Sequence, residues 1–151
     1  MLNERLMEWT ERHRLRARGQ AGFRRDHRTT DQVFVLRTLI ERARADKKPL
    51  YLCYVDFKKA YDTIPRDLLW QKLQRIGVHG DFLRAVQALY AEVPMGVQFA
   101  DGMSATFDSL LGVKQGCPLS PTLFGIFIDD FQAELEAGSA GFALPTLSGV
   151  Q

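Results

Sequence analysis

Hydrophobic residues recur with the spacing of one helix face in four parts of the chain. This periodicity predicts amphipathic helices over residues 1–16, 29–46, 66–76 and 81–92. Thr29 can cap the second helix, and Gln32 occupies the capping-box position behind it. Pro65 favours the first turn of the third helix, and Gly77 favours its end. This part of the chain is therefore expected to be mainly helical, with one exception.

Leu50–Val55 is that exception, because it is apolar at every position and rich in aromatic and β-branched residues. A short continuous run of this kind predicts a strand that is buried on both faces. Its six residues form the longest apolar run in the chain, far too short to span a membrane. Asp56 follows directly, so the strand would deliver a carboxylate at its end, where it could meet a metal ion or solvent. On this pattern alone, a helix-capping role for Asp56 stays open.

The later part of the chain alternates turn residues with short apolar stretches. Residues 97–108 predict two strands that turn at Asp101-Gly102. Ser120 as the cap and Pro121 at the first helical position predict a helix. Apolar residues cover almost the whole circumference of that helix, so it should be largely buried. From Gly138 onward, small residues and proline dominate and no periodicity remains.

Charge is unevenly divided along the chain. The net charge is only +2, but residues 1–48 contain thirteen Lys and Arg against seven Asp and Glu, whereas residues 49–151 contain seven against eleven. This division suits a protein that binds phosphate with one part and metal with the other. A solvated, arginine-rich helix face would give the same distribution of charge. Two cysteines, Cys53 and Cys117, are too few for a disulfide framework or a zinc cluster, which favours a reducing intracellular setting.

Three segments of the chain carry sequence motifs, and the order in which they occur is informative. Residues 54–62 (YVDFKKAYD) resemble the A motif of reverse transcriptases, in the form found in non-LTR (LINE-type) retrotransposons and group II intron enzymes. Residues 112–124 (GVKQGCPLSPTLF) look like the B motif of the same family. Residues 20–24 and 28–31 are similar to its fingers motif. The ordered matches cover residues 2–135, nearly all of the chain, which makes the resemblance specific.

The resemblance implies an α+β fold: a right-hand polymerase fingers–palm fragment, with helices packed on an incomplete antiparallel palm sheet. Residues 1–48 would be part of the fingers and residues 49–151 part of the palm, within one incomplete reverse transcriptase domain. The implied activity is RNA-directed DNA polymerisation with Mg²⁺ or Mn²⁺, by two-metal nucleotidyl transfer in the full-length parent. The implied partners are an RNA template, a DNA primer, dNTP and the remaining parts of the parent polyprotein, with no membrane. A LINE-type element would also imply the nucleus.

Five residues of the A motif receive roles from this resemblance. Asp56 would be the catalytic carboxylate and would bind metal together with the main-chain carbonyl of Phe57. Phe57 also begins the nucleotide-binding turn, in which the backbone N–H groups of Lys59 and Ala60 would face the triphosphate. Tyr61 corresponds to the steric-gate aromatic residue, whose ring excludes a ribose 2′-hydroxyl. A tyrosine packed in the core is the alternative for Tyr61.

The B motif and the fingers motif supply the other implied contacts. Gln115 would form a hydrogen bond beside the nucleotide, and Gly116 would let the backbone approach the nascent base pair. Arg24 and Arg28 would contact phosphates of the template or the nucleotide. Cys117 is interpreted as a small packed residue.

The resemblance alone does not decide whether the chain contains the family's second catalytic carboxylate motif. The family needs a Tyr/Phe-x-Asp-Asp hairpin after the B-motif helix, and residues 127–130 (FIDD) match those letters. They lie inside the predicted buried helix, so they are interpreted as structural and the chain is expected to end before the true hairpin. Little or no polymerisation by this chain alone follows. The alternative is a residual, non-catalytic RNA- or DNA-binding fragment of a decayed element. A phospho-acceptor receiver domain is disfavoured, because it needs an earlier strand where helices are predicted.

Overall fold

Helices dominate the structure. The computed structural model describes residues 1–138, so the aperiodic segment predicted after Gly138 lies outside the described residues. In this range there are six helices: α1 Leu2–Arg12, α2 Thr29–Ala45, α3 Arg66–Arg75, α4 Gly80–Ala88, α5 Ser120–Ile128 and α6 Asp130–Gly138. All four helices predicted before residue 92 are confirmed, although α1 and α4 end about a turn earlier than predicted. None of the helices described combines the length and the hydropathy needed to cross a bilayer.

The core lies between four of these helices. Helix α5 packs on α1 and α3, and α3 also packs on α4. The side chains that are most deeply buried at these contacts are Leu6, Leu69, Leu73, Val86, Leu123 and Ile126. The prediction that the helix after Pro121 is largely buried is therefore confirmed. Burial of these aliphatic side chains is the main source of stability for such a small core.

Two helix caps differ from the prediction. Helix α2 begins at Thr29, but its N-cap residue is Arg28, whose backbone N–H donates to Asp31 Oδ2 at 2.9 Å. Leu119, rather than Ser120, is the N-cap residue of α5. Both predicted caps are therefore one residue too late. The Ser120 hydroxyl instead donates to the Lys114 carbonyl at 2.6 Å.

Residues 50–55 correct the strand prediction. The segment has no strand structure and is mostly exposed, with 89% of the surface of Tyr51 and 79% of that of Tyr54 accessible. The prediction of a strand buried on both faces is therefore wrong. A strand needs a neighbouring strand for its backbone groups, and the strands of the described residues pair only with each other. The apolar pattern of residues 50–55 indicates a preference for strand structure, but none of the described strands pairs with this segment.

The predicted strand pair is confirmed as two short antiparallel ladders. The strands are β1 Pro94–Met95, β2 Gln98–Phe99, β3 Gly102–Met103 and β4 Phe107–Asp108. Strand β1 pairs with β4, with Met95 opposite Phe107, and β2 pairs with β3, with Phe99 opposite Gly102. The chain reverses between Phe99 and Gly102, close to the predicted turn. These ladders bring the chain back to the start of α3, where the B motif begins.

Candidate functional site

The A turn, defined as residues 57–62, is anchored by two aromatic rings. The ring of Phe57 packs edge-on against Phe124 and Phe131, with centroid distances of 6.2 and 5.7 Å. The ring of Tyr61 lies 5.3 Å from that of Phe124. Because Phe124 belongs to α5 and Phe131 to α6, the turn is held against both of these helices.

Lys59 occupies the bend of the A turn. Its backbone is left-handed, with φ of 53°, and the N–H of Asp62 donates to its carbonyl at 2.9 Å. The hydroxyl of Thr63 donates to the same carbonyl at 3.2 Å. The turn therefore places Lys59 and Ala60 at its tip, and their predicted contact with a triphosphate stays a prediction.

The B loop, defined as residues 111–116, is hydrogen-bonded to the A turn and the residues after it. Three bonds join them: Gly112 N to Ile64 O at 2.8 Å, Val113 N to Tyr61 O at 2.7 Å, and Gln115 Nε2 to Asp62 Oδ1 at 2.9 Å. Two segments that are distant in sequence thus form one structural unit. The order of the A and B motifs alone could not show this contact.

Gly112 is required at the closest approach between the two segments. Its φ is +77°, and a Cβ atom there would lie 2.5 Å from the carbonyl oxygen of Tyr61. Backbone atoms of Asp62 would lie 2.8 Å away. Any side chain at this position would therefore push the B loop away from the A turn.

An open cleft of about 480 Å³ lies where the A turn meets the B loop. Its lining residues are Tyr61, Lys114, Gln115, Gly116, Cys117, Pro118, Ser120 and Pro121. The structure therefore brings together three of the predicted nucleotide-binding residues: Tyr61, Gln115 and Gly116. The thiol of Cys117, interpreted from sequence as a packing residue, is half-buried in the same wall.

Asp56 lies outside this cleft lining. It is exposed, at the end of the unpaired segment that precedes the A turn. Among residues 1–138, no group of three or more His, Cys, Asp or Glu side chains could hold a metal ion. One exposed carboxylate and the Phe57 carbonyl do not make a site for a hard divalent cation, which takes about six oxygen ligands. The described residues therefore do not fit a metal centre by themselves.

The two predicted phosphate-binding arginines lie in different environments. Arg24 forms a bidentate ion pair with Glu11, at 2.7 Å from Nε to Oε1 and 2.6 Å from Nη2 to Oε2. Its Nη1 donates to the carbonyls of Ala17 and Gln20, both at 2.9 Å. Arg24 thus holds the loop between α1 and α2, whereas Arg28 is exposed. Phosphate binding by either residue stays a prediction.

Asp129 and Asp130, the acidic pair of the FIDD sequence, both have structural partners. Asp129 Oδ1 accepts a hydrogen bond from the backbone N–H of Ala17 at 2.7 Å. Asp130 forms an ion pair with the largely buried Lys72 of α3. The pair lies at the junction of α5 and α6 rather than in a hairpin. These contacts support its interpretation as structural.

Arg66 has a role at this site that the sequence analysis does not predict. It begins α3, and its guanidinium donates to the main-chain carbonyls of Gly112, Leu111 and Tyr90. Main-chain carbonyls occur at every position, so no side-chain pattern reveals such a contact in advance.

Comparison with known proteins shows which family the chain matches. The family model described as reverse transcriptase (RNA-dependent DNA polymerase) matches residues 1–143. The chain is 30% identical over 114 residues to the transposon TX1 uncharacterized 149 kDa protein of Xenopus laevis, covering 76% of this chain and 9% of that protein. It is 27% identical over 119 residues to a retrovirus-related Pol polyprotein from a type-1 retrotransposable element R2 of Popillia japonica, covering 78% and 17%. It is 25% identical over 130 residues to the probable RNA-directed DNA polymerase from transposon BS of Drosophila melanogaster, covering 86% and 14%. The chain spans less than a fifth of the length of each of these relatives.

Proposed function

The chain belongs to the reverse transcriptase (RNA-dependent DNA polymerase) family of non-LTR retrotransposons, and from this premise we propose that it forms part of the fingers and palm of such an enzyme. Residues 1–48 would belong to the fingers and residues 49–151 to the palm. The longer protein would copy an RNA template from a DNA primer with dNTPs, and its other parts would be further partners. The combination of helices with short antiparallel strands is consistent with this assignment.

The observation that carries the proposal is the direct bonding between the A turn and the B loop. Gln115 donates to Asp62 at 2.9 Å, and Val113 donates to Tyr61 at 2.7 Å. These bonds form one wall of the cleft from both motifs. We assign this cleft to the incoming dNTP, because polymerase chemistry requires a base, a sugar and a triphosphate to be fixed together.

Two features of the cleft and one of the neighbouring A turn suit a deoxynucleotide. The ring of Tyr61 is fixed against Phe124, so it would exclude a ribose 2′-hydroxyl sterically. A Cβ atom at Gly116 would have nothing within 4 Å, which leaves room for a base pair to approach the backbone. The tip of the A turn, with Lys59 and Ala60, would hold the triphosphate.

Metal binding is proposed only for the longer protein. Reverse transcriptases generally use divalent metal ions, and Mg²⁺ or Mn²⁺ would be held there by Asp56, the Phe57 carbonyl and further carboxylates. The described residues do not complete such a site. We therefore expect little or no primer extension by this chain alone.

A non-catalytic RNA- or DNA-binding fragment is the second candidate function. The excess of Lys and Arg over Asp and Glu in residues 1–48 specifically favours it, because this charge would attract phosphates without any metal. Both candidates predict nucleic-acid binding, but only the first predicts a specific deoxynucleotide site.

Protection of Cys117 from alkylation tests the nucleotide site. In a Cys53→Ser variant, which removes the exposed second thiol, N-ethylmaleimide would label Cys117 in the cleft wall. With poly(rC)/oligo(dG) and Mg²⁺, dGTP should slow this labelling, whereas GTP should protect less because of its 2′-hydroxyl. The readout is the labelling rate by mass spectrometry.

Tyr61→Ala supplies the matched control for this test. Removal of the ring should bring the protection by GTP close to that by dGTP, while both still bind. Equal labelling of the parent variant with and without millimolar dGTP would show that the cleft is not a nucleotide site.

A further inference from the structure

Arg66 is bound to the main chain of the B loop in an unusual way. Its Nε donates to the Gly112 carbonyl at 2.8 Å and its Nη2 to the Leu111 carbonyl at 3.0 Å. Its Nη1 donates to the Tyr90 carbonyl at 3.2 Å. All three acceptors are main-chain carbonyls, so the fork of the guanidinium fixes the path of the backbone rather than neutralising an acid.

Tyr90 connects this arginine to the other end of the B loop. Its ring is 4% exposed, and the guanidinium carbon of Arg66 and Nζ of Lys114 lie 5.4 and 5.8 Å from its centroid. Its hydroxyl lies 3.2 Å from Ser120 Oγ, and Ser120 Oγ donates to the Lys114 carbonyl at 2.6 Å. Lys114 is thus held at its carbonyl and at its ammonium group.

We propose that Arg66, Tyr90 and Ser120 form a brace that positions the B loop for nucleotide binding. The brace fixes the carbonyls of Leu111, Gly112 and Lys114, which together bracket the bond between Val113 and the A turn. Gln115, the next residue, then projects toward Asp62. This inference rests on the proposed function of the cleft, but Arg66 and Tyr90 do not line the cleft and would act through the loop rather than by touching the nucleotide.

Loss of the brace should cost free energy, because part of it is buried. With Arg66 removed, the carbonyls of Leu111 and Gly112 would lose their donor, and the loss matters most at Gly112, which is buried and has less access to water. Desolvation also lowers the pKa of Arg66 and raises that of Tyr90, which places both groups in a partly dry environment. Loss of the brace would therefore open the loop locally, while the helical core keeps its own contacts.

Hydrogen exchange of the whole chain tests the brace without any nucleotide. In Arg66→Gln, the amides of Gly112 and Val113 should exchange about tenfold faster or more, the equivalent of about 1.4 kcal/mol. Amides of α3 and α5 should keep their rates. Arg84→Gln is the matched control, because Arg84 is exposed and pairs with Asp81 within α4. This variant should change the exchange rates of neither the loop amides nor the helix amides.

Two further variants separate positioning from a general loss of stability. Arg66→Lys keeps the charge, but a lysine cannot span three carbonyls. The loop amides should therefore exchange as fast as they do in Arg66→Gln. Tyr90→Phe keeps the buried ring and removes only the bond to Ser120, so it should speed exchange near Lys114 without unfolding the chain. If exchange rises equally throughout the core in these variants, the residues only stabilise the fold and the brace is wrong.

Protection of Cys117 by dGTP then links the brace to function. In Arg66→Gln, half-protection should need more dGTP, by the factor by which the closed, binding-competent fraction of the loop falls. An open loop with unchanged dGTP affinity would overturn the positioning role. No protection even in the parent variant would instead overturn the proposed nucleotide site, while the exchange data would still report whether the brace holds the loop.

Discussion

At the scale of single residues, the pairing of Arg24 with Glu11 controls the loop between α1 and α2. The hydrogen bond from Arg24 is the main cause that lowers the pKa of Glu11, and burial opposes it. Since the pKa is lower in the folded state, the pair stabilises the fold above the ordinary glutamate pKa of 4.5. That contribution is lost as the pH falls through the lower, folded-state value.

Glu11→Gln should therefore destabilise the chain at neutral pH but not in acid. Because the pair is partly exposed, the expected loss in the free energy of unfolding at pH 7 is about 0.5–1 kcal/mol, shrinking toward zero below about pH 4. Urea unfolding at pH 7, 5 and 3 measures this, with Glu8→Gln as the control, since Glu8 is exposed on the same helix. A penalty that is the same at every pH would contradict the role of the charge.

Gly112→Ala tests the close approach between the two motifs. The added Cβ would meet the Tyr61 carbonyl at 2.5 Å, so the free energy of unfolding should fall by roughly 3 kcal/mol or more. Gly116→Ala is the matched control, because its φ of +81° is similar but its Cβ would have open space. That variant should lose only about 1 kcal/mol, from backbone strain. Equal losses in urea unfolding would show that the close approach does not matter.

At the scale of elements, helices could be predicted from the sequence because their patterns are local. Helices α3 and α5 were recognisable from apolar spacing and from Pro65 and Pro121, and both are buried by helices that the same chain supplies. Helix α2 shows the limit of this reasoning. Its predicted apolar face exists, yet only Ala43 is buried, because burial depends on what lies opposite.

The strand predicted at residues 50–55 failed for a related reason. A β-strand is completed by distant main chain, and the described residues place no strand beside this one. The residues of the candidate site likewise fall into those that the sequence could predict and those that it could not. Motif resemblance singled out Tyr61 and Gln115, which do meet at the cleft, whereas Arg66 acts on carbonyls that no side-chain pattern marks.

Substitutions in residues 50–55 should therefore cost little stability in this chain. Tyr54→Ser removes a side chain that is 79% exposed, so the free energy of unfolding should change by less than about 0.5 kcal/mol. Leu69→Ala, at a position with 0% exposure in α3, should cost about 2–5 kcal/mol. Thermal and urea unfolding compare the two. A loss for Tyr54→Ser that approaches that of Leu69→Ala would mean that the segment is packed in solution.

At the scale of the whole molecule, the division of charge predicts how nucleic acid would bind. The basic residues 1–48 would attract phosphate, while the acidic remainder would repel it, so binding should be oriented by charge. For single-stranded RNA, each phosphate contact contributes about 0.7 to the slope of log affinity against log salt. Arg28 faces solvent, whereas the donors of Arg24 are taken up by Glu11 and two carbonyls.

Arg28→Ala should consequently weaken RNA binding and reduce the salt slope by about 0.7, the value of one phosphate contact. Arg24→Ala should reduce the slope only if Arg24 leaves Glu11 to contact phosphate, so this variant decides between its two roles. Arg84→Ala, an exposed arginine in the acidic part of the chain, should leave the slope unchanged. Fluorescence anisotropy with a labelled single-stranded RNA between 50 and 300 mM salt measures all three slopes. An affinity that does not depend on salt would remove charge as the basis of binding, and with it the assignment of residues 1–48 to nucleic-acid contact.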